Sequence, residues 1–326
     1  MTIKLYWKVK IIPRNFVFRV SGNSRIGSGH LFHSITLNNI LKDNNDISTF
    51  LLYECDNFVE EQLRLNKLNY LYEDKLDEQI NSLFKNNYRN ILINDVLDTT
   101  KETIQLQKNS GYKVVNIEDL GSGIYHADAV INALYAEIDG LKNQYVGPSY
   151  TILRNEFKNE SENIQYEKNE SIVISFGGVD PNKISEAIYY EILKTDIPFY
   201  IIEPPFRSLE IQSDLILRKP VEMAKVMSKA KVIVSSMGRT VFEAASLGIP
   251  VVSIAQNERE AQHISQYLNY INYLGKFEDL DIKIIVNKLI DIYNDQDKLN
   301  IQRNLLFDLV DFKGADRIKE IISSLS

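Results

Sequence analysis

Cysteine is nearly absent: the 326-residue chain carries one, Cys55. A single thiol excludes a disulfide within the chain and a metal site built on thiolates. A basic surplus is missing as well. Lysine and arginine number 37 against 44 aspartates and glutamates, a net charge of −7, and the cations are scattered rather than gathered into a stripe. That excludes a nucleic-acid tracker but leaves room for a local anion site built on backbone amides. Long apolar runs are also lacking at the start, where Met1 to Arg14 alternates lysine with apolar residues and offers no small-residue cleavage site. The stretch is neither a signal peptide nor a membrane span, so the expected location is the cytoplasm and no membrane partner is expected. Its own role stays open between an added edge strand and a leftover arm. No short-period repeat or low-complexity tract breaks the chain.

What is present is a rhythm. The length sets a prior of about two ordinary domains, and 44% hydrophobic residues give each half enough to bury a core. Short apolar runs alternate with amphipathic stretches, the pattern of β-α units and parallel sheets. Strands are expected at Phe16–Val20, Thr49–Tyr53, Asn90–Ile93, Lys113–Ile117 and Ala129–Ile131, with a helix over Leu31–Leu41. A polar tract at 158–170, nearly free of apolar anchors, reads as an interdomain linker. Beyond it the rhythm restarts, with strands at Ile172–Phe176, Phe199–Ile202, Leu215–Leu217, Val232–Ser235 and Val251–Ile254. Helices fit Pro181–Leu193, Val221–Ser228, Val241–Leu247 and Arg259–Leu268, and three more follow residue 280. The expected architecture is α/β: two Rossmann-like domains, 1–157 and 171–312, that face each other across a cleft. Ligands in such sheets sit beyond the carboxyl ends of the strands.

Candidate chemistry gathers at those strand ends. Ser21 to His30 follows the first core strand and opens the first helix, and Gly27 and Gly29 allow a tight turn with exposed amides. A dinucleotide fingerprint would need glycine where Phe32 stands. In the first helical turn the dipole favours a neutral His30, which can accept a proton from water or a sugar hydroxyl. A histidine that merely caps the helix is the other reading. His33 shares its face, but no third metal ligand stands at a telling spacing, so packing is preferred and no metal is expected. Asp95 and Asp119 end strands of the first half, and either could orient His30 or bind sugar hydroxyls.

In the second half, Gly177 and Gly178 break a strand before Asp180 and Pro181, which read as an N-cap and first helical residue. Further on, Ser236, Gly238 and Thr240 can offer donors to a diphosphate, with Arg239 as a counter-charge. Glu243 suits the hydroxyls of a ribose, yet Thr240 and Glu243 also have capping-box spacing. The spacing alone does not separate the two. Asn257 lies in a charged patch, Gln256 to Glu260, at the ligand edge of a strand, and on spacing alone an ordinary helix start is the preferred reading.

Together these motifs resemble the nucleotide-sugar hydrolases of pseudaminic-acid synthesis and the SpsG-like spore-coat polysaccharide proteins close to them. The resemblance runs through Arg19, Ser21, Ile26, Gly27, Gly29 and His30, then Asp95, Glu118, Asp119, Asp128, Asn132 and the Gly147–Phe157 stretch with Arg154. It resumes at Phe176 to Asp180, Gly238 to Glu243, Gly248 to Pro250 and Asn257. It implies a GT-B-like pair of domains and removal of UDP from a diacetamido-trideoxy hexose by water. His30 would be catalytic, Glu243 would face the ribose, Arg154 would lie among the substrate contacts, and no cofactor would be needed. It also implies that a C-terminal helix at 313–326 packs back on the first domain. The partner expected is a nucleotide sugar; the oligomeric state is left open.

Overall fold

In the computed structural model, the residues described are 12–166, 169–218, 222–263 and 267–325. The N-terminal stretch left open above thus lies, up to residue 11, outside the described residues. Two parallel sheets organise the chain. The first has seven strands in the order β3-β2-β1-β4-β5-β6-β7. These are β1 Arg14–Gly22, β2 Ile47–Cys55, β3 Tyr70–Tyr72, β4 Arg89–Asp95, β5 Lys113–Ile117, β6 Ala129–Asn132 and β7 Gln144–Val146. The second has six, in the order β10-β9-β8-β11-β12-β13: β8 Ser171–Ser175, β9 Phe199–Ile202, β10 Ile216–Leu217, β11 Ala230–Ser235, β12 Val251–Ala255 and β13 Asn272–Lys276.

Both orders run outward from a first strand, then jump across it, so each sheet has a switch point where crossover helices leave to opposite sides. In the first sheet it lies between β1 and β4, whose residues pair from Arg14–Arg89 to Val20–Asp95. In the second it lies between β8 and β11, which pair up to Ser175–Ser235. The central strands carry apolar residues on both faces because both are covered: Phe16, Phe18 and Val20 pack on one side of the first sheet, Val17 and Leu92 on the other.

Three strands escape the sequence reading: β3, β7 and β13. All three are sheet edges, and their residues are half-buried or exposed, so they carry no apolar run to announce them. The tract at 158–170 is also less of a linker at its start, because helix α5 covers Asn155–Ser161. Leu153 and Phe157 already lie in a core shared with Phe242 and Leu247 of the second half. The helix expected from Pro181 begins at Ile184 (α6, Ile184–Ile192), preceded by Lys183 at φ 55°. Asp180 still serves it, accepting from the Ile184 and Ser185 amides at 2.9 and 2.8 Å. The last helix, α12 (Gly314–Ser324), buries Ala315, Ile318, Ile321 and Ile322 in the core of the first sheet.

Candidate active site

The end of β1 is shaped by Asn23, whose side-chain oxygen accepts from the Arg25 and Ile26 amides at 2.9 and 3.1 Å. Gly27 takes φ +84°, which an L side chain rarely adopts, and turns the chain into helix α1 (Gly29–Leu41). His30 thus lands in the first helical turn, buried, at the switch point of the first sheet. Asp95 ends β4 on the other side of that switch point and is fully buried.

The His30 Nδ1 lies 2.7 Å from Asp95 Oδ1, and the second carboxylate oxygen accepts from Ser34 Oγ at 3.0 Å. With a carboxylate as its partner, Nδ1 carries the proton in the neutral ring, which leaves the Nε2 lone pair as the basic atom. Burial, and then Arg239, lower the His30 pKa, while Asp95 raises it. The ring is therefore neutral near pH 7, with desolvation and a guanidinium as the causes. Capping is not its role: Ser28 holds the N-cap position of α1. His33 comes only to 3.9 Å of Asp95, and its Nδ1 is buried without a hydrogen bond.

Asp119 is not brought to His30. One of its oxygens accepts from the Thr99 and Gly121 amides at 3.1 and 2.7 Å, the other from Thr99 Oγ1 and Asn116 Nδ2, both at 2.6 Å. Four donors absorb that carboxylate, which braces the loops after β4 and β5. Its neighbour Glu118, which the sequence pattern names without a role, has one in the structure. It stands at φ +53°, buried, and accepts from the Ala133 and Leu134 amides at 3.0 and 3.3 Å. Burial pushes its carboxyl up to about 7, and Arg239 pulls it back in part. A charged residue straight after the buried run Val114–Ile117 of β5 was the available signal.

The second sheet presents its own switch point to the first. Gly177 has φ +74°. A Cβ on Gly178 would stand 2.5 Å from Ser28 N and 2.6 Å from the Gly27 Cα, so two backbone turns from opposite halves touch. Ser236 and Thr240 are buried at the end of β11 and the start of helix α8 (Thr240–Ser246), with Gly238 between them. Arg239 crosses to the first half: its Nη2 lies 3.6 Å from Asp95 Oδ1 and 3.4 Å from His30 Nδ1.

The capping box does not form. No side-chain hydrogen bond caps α8, and Glu243 instead accepts from Arg154 Nη2 at 2.8 Å, while Arg154 Nη1 reaches Glu156 at 2.6 Å. Asn257 caps its own helix, α9 (Glu258–His263), by accepting from the Glu260 amide at 2.9 Å. Of the residues expected to carry that helix on to Leu268, 264–266 lie outside the described residues, and Tyr267 and Leu268 are in a turn. Arg259 in the same patch bridges the halves, donating to Asp98 at 2.7 and 3.0 Å and to Tyr135 Oη at 2.7 Å. Among the described residues, no group of three or more His, Cys, Asp or Glu could hold a metal ion, and no helix is long and apolar enough to cross a membrane.

No protein-family model matches the chain. Among curated proteins it is 27% identical over 279 residues to an uncharacterized protein of Methanocaldococcus jannaschii, covering 77% of this chain and 57% of that protein. It is 25% identical over 192 residues to the spore coat polysaccharide biosynthesis protein SpsG of Bacillus subtilis, covering 52% of this chain and 57% of SpsG. The match thus spans little more than half the length of either relative. Among solved structures, MurG of Acinetobacter baumannii superposes with a TM-score of 0.65 at 13% identity, over 96% of this chain and all of that one. HepE of Anabaena, solved with UDP-glucose, superposes at 0.61 and 12% identity, over 95% of this chain and all of that one. The chain is a low-identity relative of SpsG with the two-sheet α/β fold of the GT-B glycosyltransferases.

Proposed function

We propose that the protein hydrolyses a nucleotide-diphosphate sugar, with a UDP-linked amino or deoxy hexose as the substrate class, in surface-polysaccharide or nonulosonic-acid synthesis. The observation that carries this reading is the meeting of two switch points. A buried His30–Asp95 pair at one faces the glycine turns at the other, where Gly178 touches Gly27.

The chemistry follows from that arrangement. Asp95 fixes the ring so that His30 Nε2 can take a proton from water at the anomeric carbon. Backbone amides around Gly177, Gly178 and Gly238, with the Thr240 hydroxyl and the Arg239 cation, would stabilise the departing diphosphate. Glu243, held by Arg154, would receive the ribose hydroxyls. HepE, which shares the fold, has been solved with UDP and glucose and with UDP-glucose. That supports a nucleotide sugar here, as the place of SpsG in spore coat polysaccharide biosynthesis supports the pathway class.

The test is incubation with a panel of UDP- and CMP-sugars, with and without sugar acceptors, followed by separation of free nucleotide, free sugar and acceptor product. Free sugar and nucleotide in equal amounts without an acceptor is the expected result. Nucleotide release only in the presence of an acceptor, with the sugar recovered on it, would assign glycosyl transfer instead. No release from any donor would sink the enzymatic reading.

A further inference from the structure

Arg239 stands just before α8 in the second half, yet its guanidinium lies against the first turn of α1: a Cβ built on Gly29 would come within 2.3 Å of its Nη1. A cation is poorly placed at the amino end of a helix, where the dipole is positive. Two buried carboxylates compensate, Asp95 at 3.6 Å and Glu118, whose charge Arg239 stabilises. Even so the fork is poorly used. Its Nε is buried without a partner. Its Nη2 meets an Asp95 oxygen that already accepts from His30 at 2.7 Å, so the 3.4 Å approach to His30 Nδ1 brings together two donors competing for one acceptor.

A diphosphate is the kind of ligand that answers such a fork, offering several charged acceptors in one plane. We propose that Arg239 serves two acceptors in turn, the Asp95 carboxylate as seen here and the diphosphate of a bound nucleotide, so that substrate binding releases the His30–Asp95 pair for proton transfer. The inference rests on the nucleotide reading above and gives Arg239 a second task, that of a positioning residue acting through Asp95. It has a consequence for the base. The charged and titratable groups around His30 are Asp95 at the end of β4, His33 on α1, Arg239 before α8 and Arg259 on α9. Both arginines hold the ring neutral, so withdrawing Arg239 strengthens the base as the substrate arrives.

The test is a double-mutant cycle on UDP affinity, measured by calorimetry on the full chain with Asp95→Asn, Arg239→Gln and the pair. Asp95→Asn should tighten UDP several-fold in the presence of Arg239, by removing the internal competitor, and far less when residue 239 is glutamine. Equal tightening in both backgrounds would overturn the proposal, since the gain would then come from lost carboxylate charge alone. The second readout needs no nucleotide. The chain has four histidines, so the His30 resonance can be assigned by its loss in His30→Ala and titrated by NMR. Arg239→Gln should move its midpoint upward, and an unmoved midpoint would refute the lock. Should UDP bind none of the four proteins while the midpoint still moves, the nucleotide reading falls, and release by a diphosphate falls with it.

Discussion

Asp95, Glu118 and Asp119 are all buried acids at strand ends, and their surroundings give each a different task. Asp95 has His30 and Ser34 as side-chain partners, Asp119 has four donors from Thr99, Asn116 and Gly121, and Glu118 has two backbone amides and the field of Arg239. Sequence position alone could not sort them, because it reports that an acid ends a strand but not which donors the following loop turns back to it. His30 was legible because helix start, glycine turn and strand end coincide there. Glu118 makes the sorting testable. Its ordinary pKa is 4.5, and burial sets it at about 7 in the folded protein. The folded state thus keeps a proton that the unfolded chain releases between those values, so this contribution to stability is full below 4.5 and is lost as pH rises through 7. Glu118→Gln cannot lose it. Urea unfolding of both proteins across pH 4 to 8 should show the variant gaining on the wild type as pH rises, then running parallel above about 7. Parallel curves throughout would mean that Glu118 is not desolvated.

At the scale of elements, the buried strands were readable from their apolar runs, and the edges β3, β7 and β13 were not, for want of a buried face. Helix starts were less legible still. Asp180 and Pro181 have the chemistry of an N-cap and first helical residue, but a left-handed Lys183 delays α6 to Ile184, and the carboxylate caps from a distance. Thr240 and Glu243 have capping-box spacing, but the Arg154 guanidinium, brought from the other side of α5, takes the carboxylate. Arg154 stands 89 residues from Glu243, so no local pattern could have shown that pairing. The glycine turns allow a sharper test. Gly178→Ala puts a methyl group into the Gly27–Ser28 backbone, which cannot yield as a side-chain tip would. Overpacking of this kind costs about 1–3 kcal/mol. The variant should unfold at a lower temperature and show a larger radius of gyration by solution scattering, because the two halves are wedged apart. Wild-type values for both would mean that the turns do not meet in solution.

Across the whole molecule, the halves are tied by more than one strap. Arg259 binds Asp98 and Tyr135, Tyr267 donates to the Ala133 carbonyl, Arg154 pairs with Glu243, and α12 returns to the first core. That last strap predicts an effect of truncation. Ending the chain at Lys313 removes three buried isoleucines, each worth roughly 1.5–3 kcal/mol when fully buried, from the core that holds Phe16 and Val20. Such a chain should melt earlier than the full-length protein, and an unchanged melting temperature would contradict the packing of α12. The division of labour between halves can be put to a single comparison. His30 and Asp95 come from the first sheet, whereas the turns assigned to the nucleotide come from the second. His30→Ala should therefore lose about 10²–10⁴ in turnover of a nucleotide sugar, while calorimetric titration with UDP gives an affinity near the wild-type value. Normal turnover by His30→Ala would contradict the account at its centre, leaving His30 a buried structural histidine and the proton transfer to some other group.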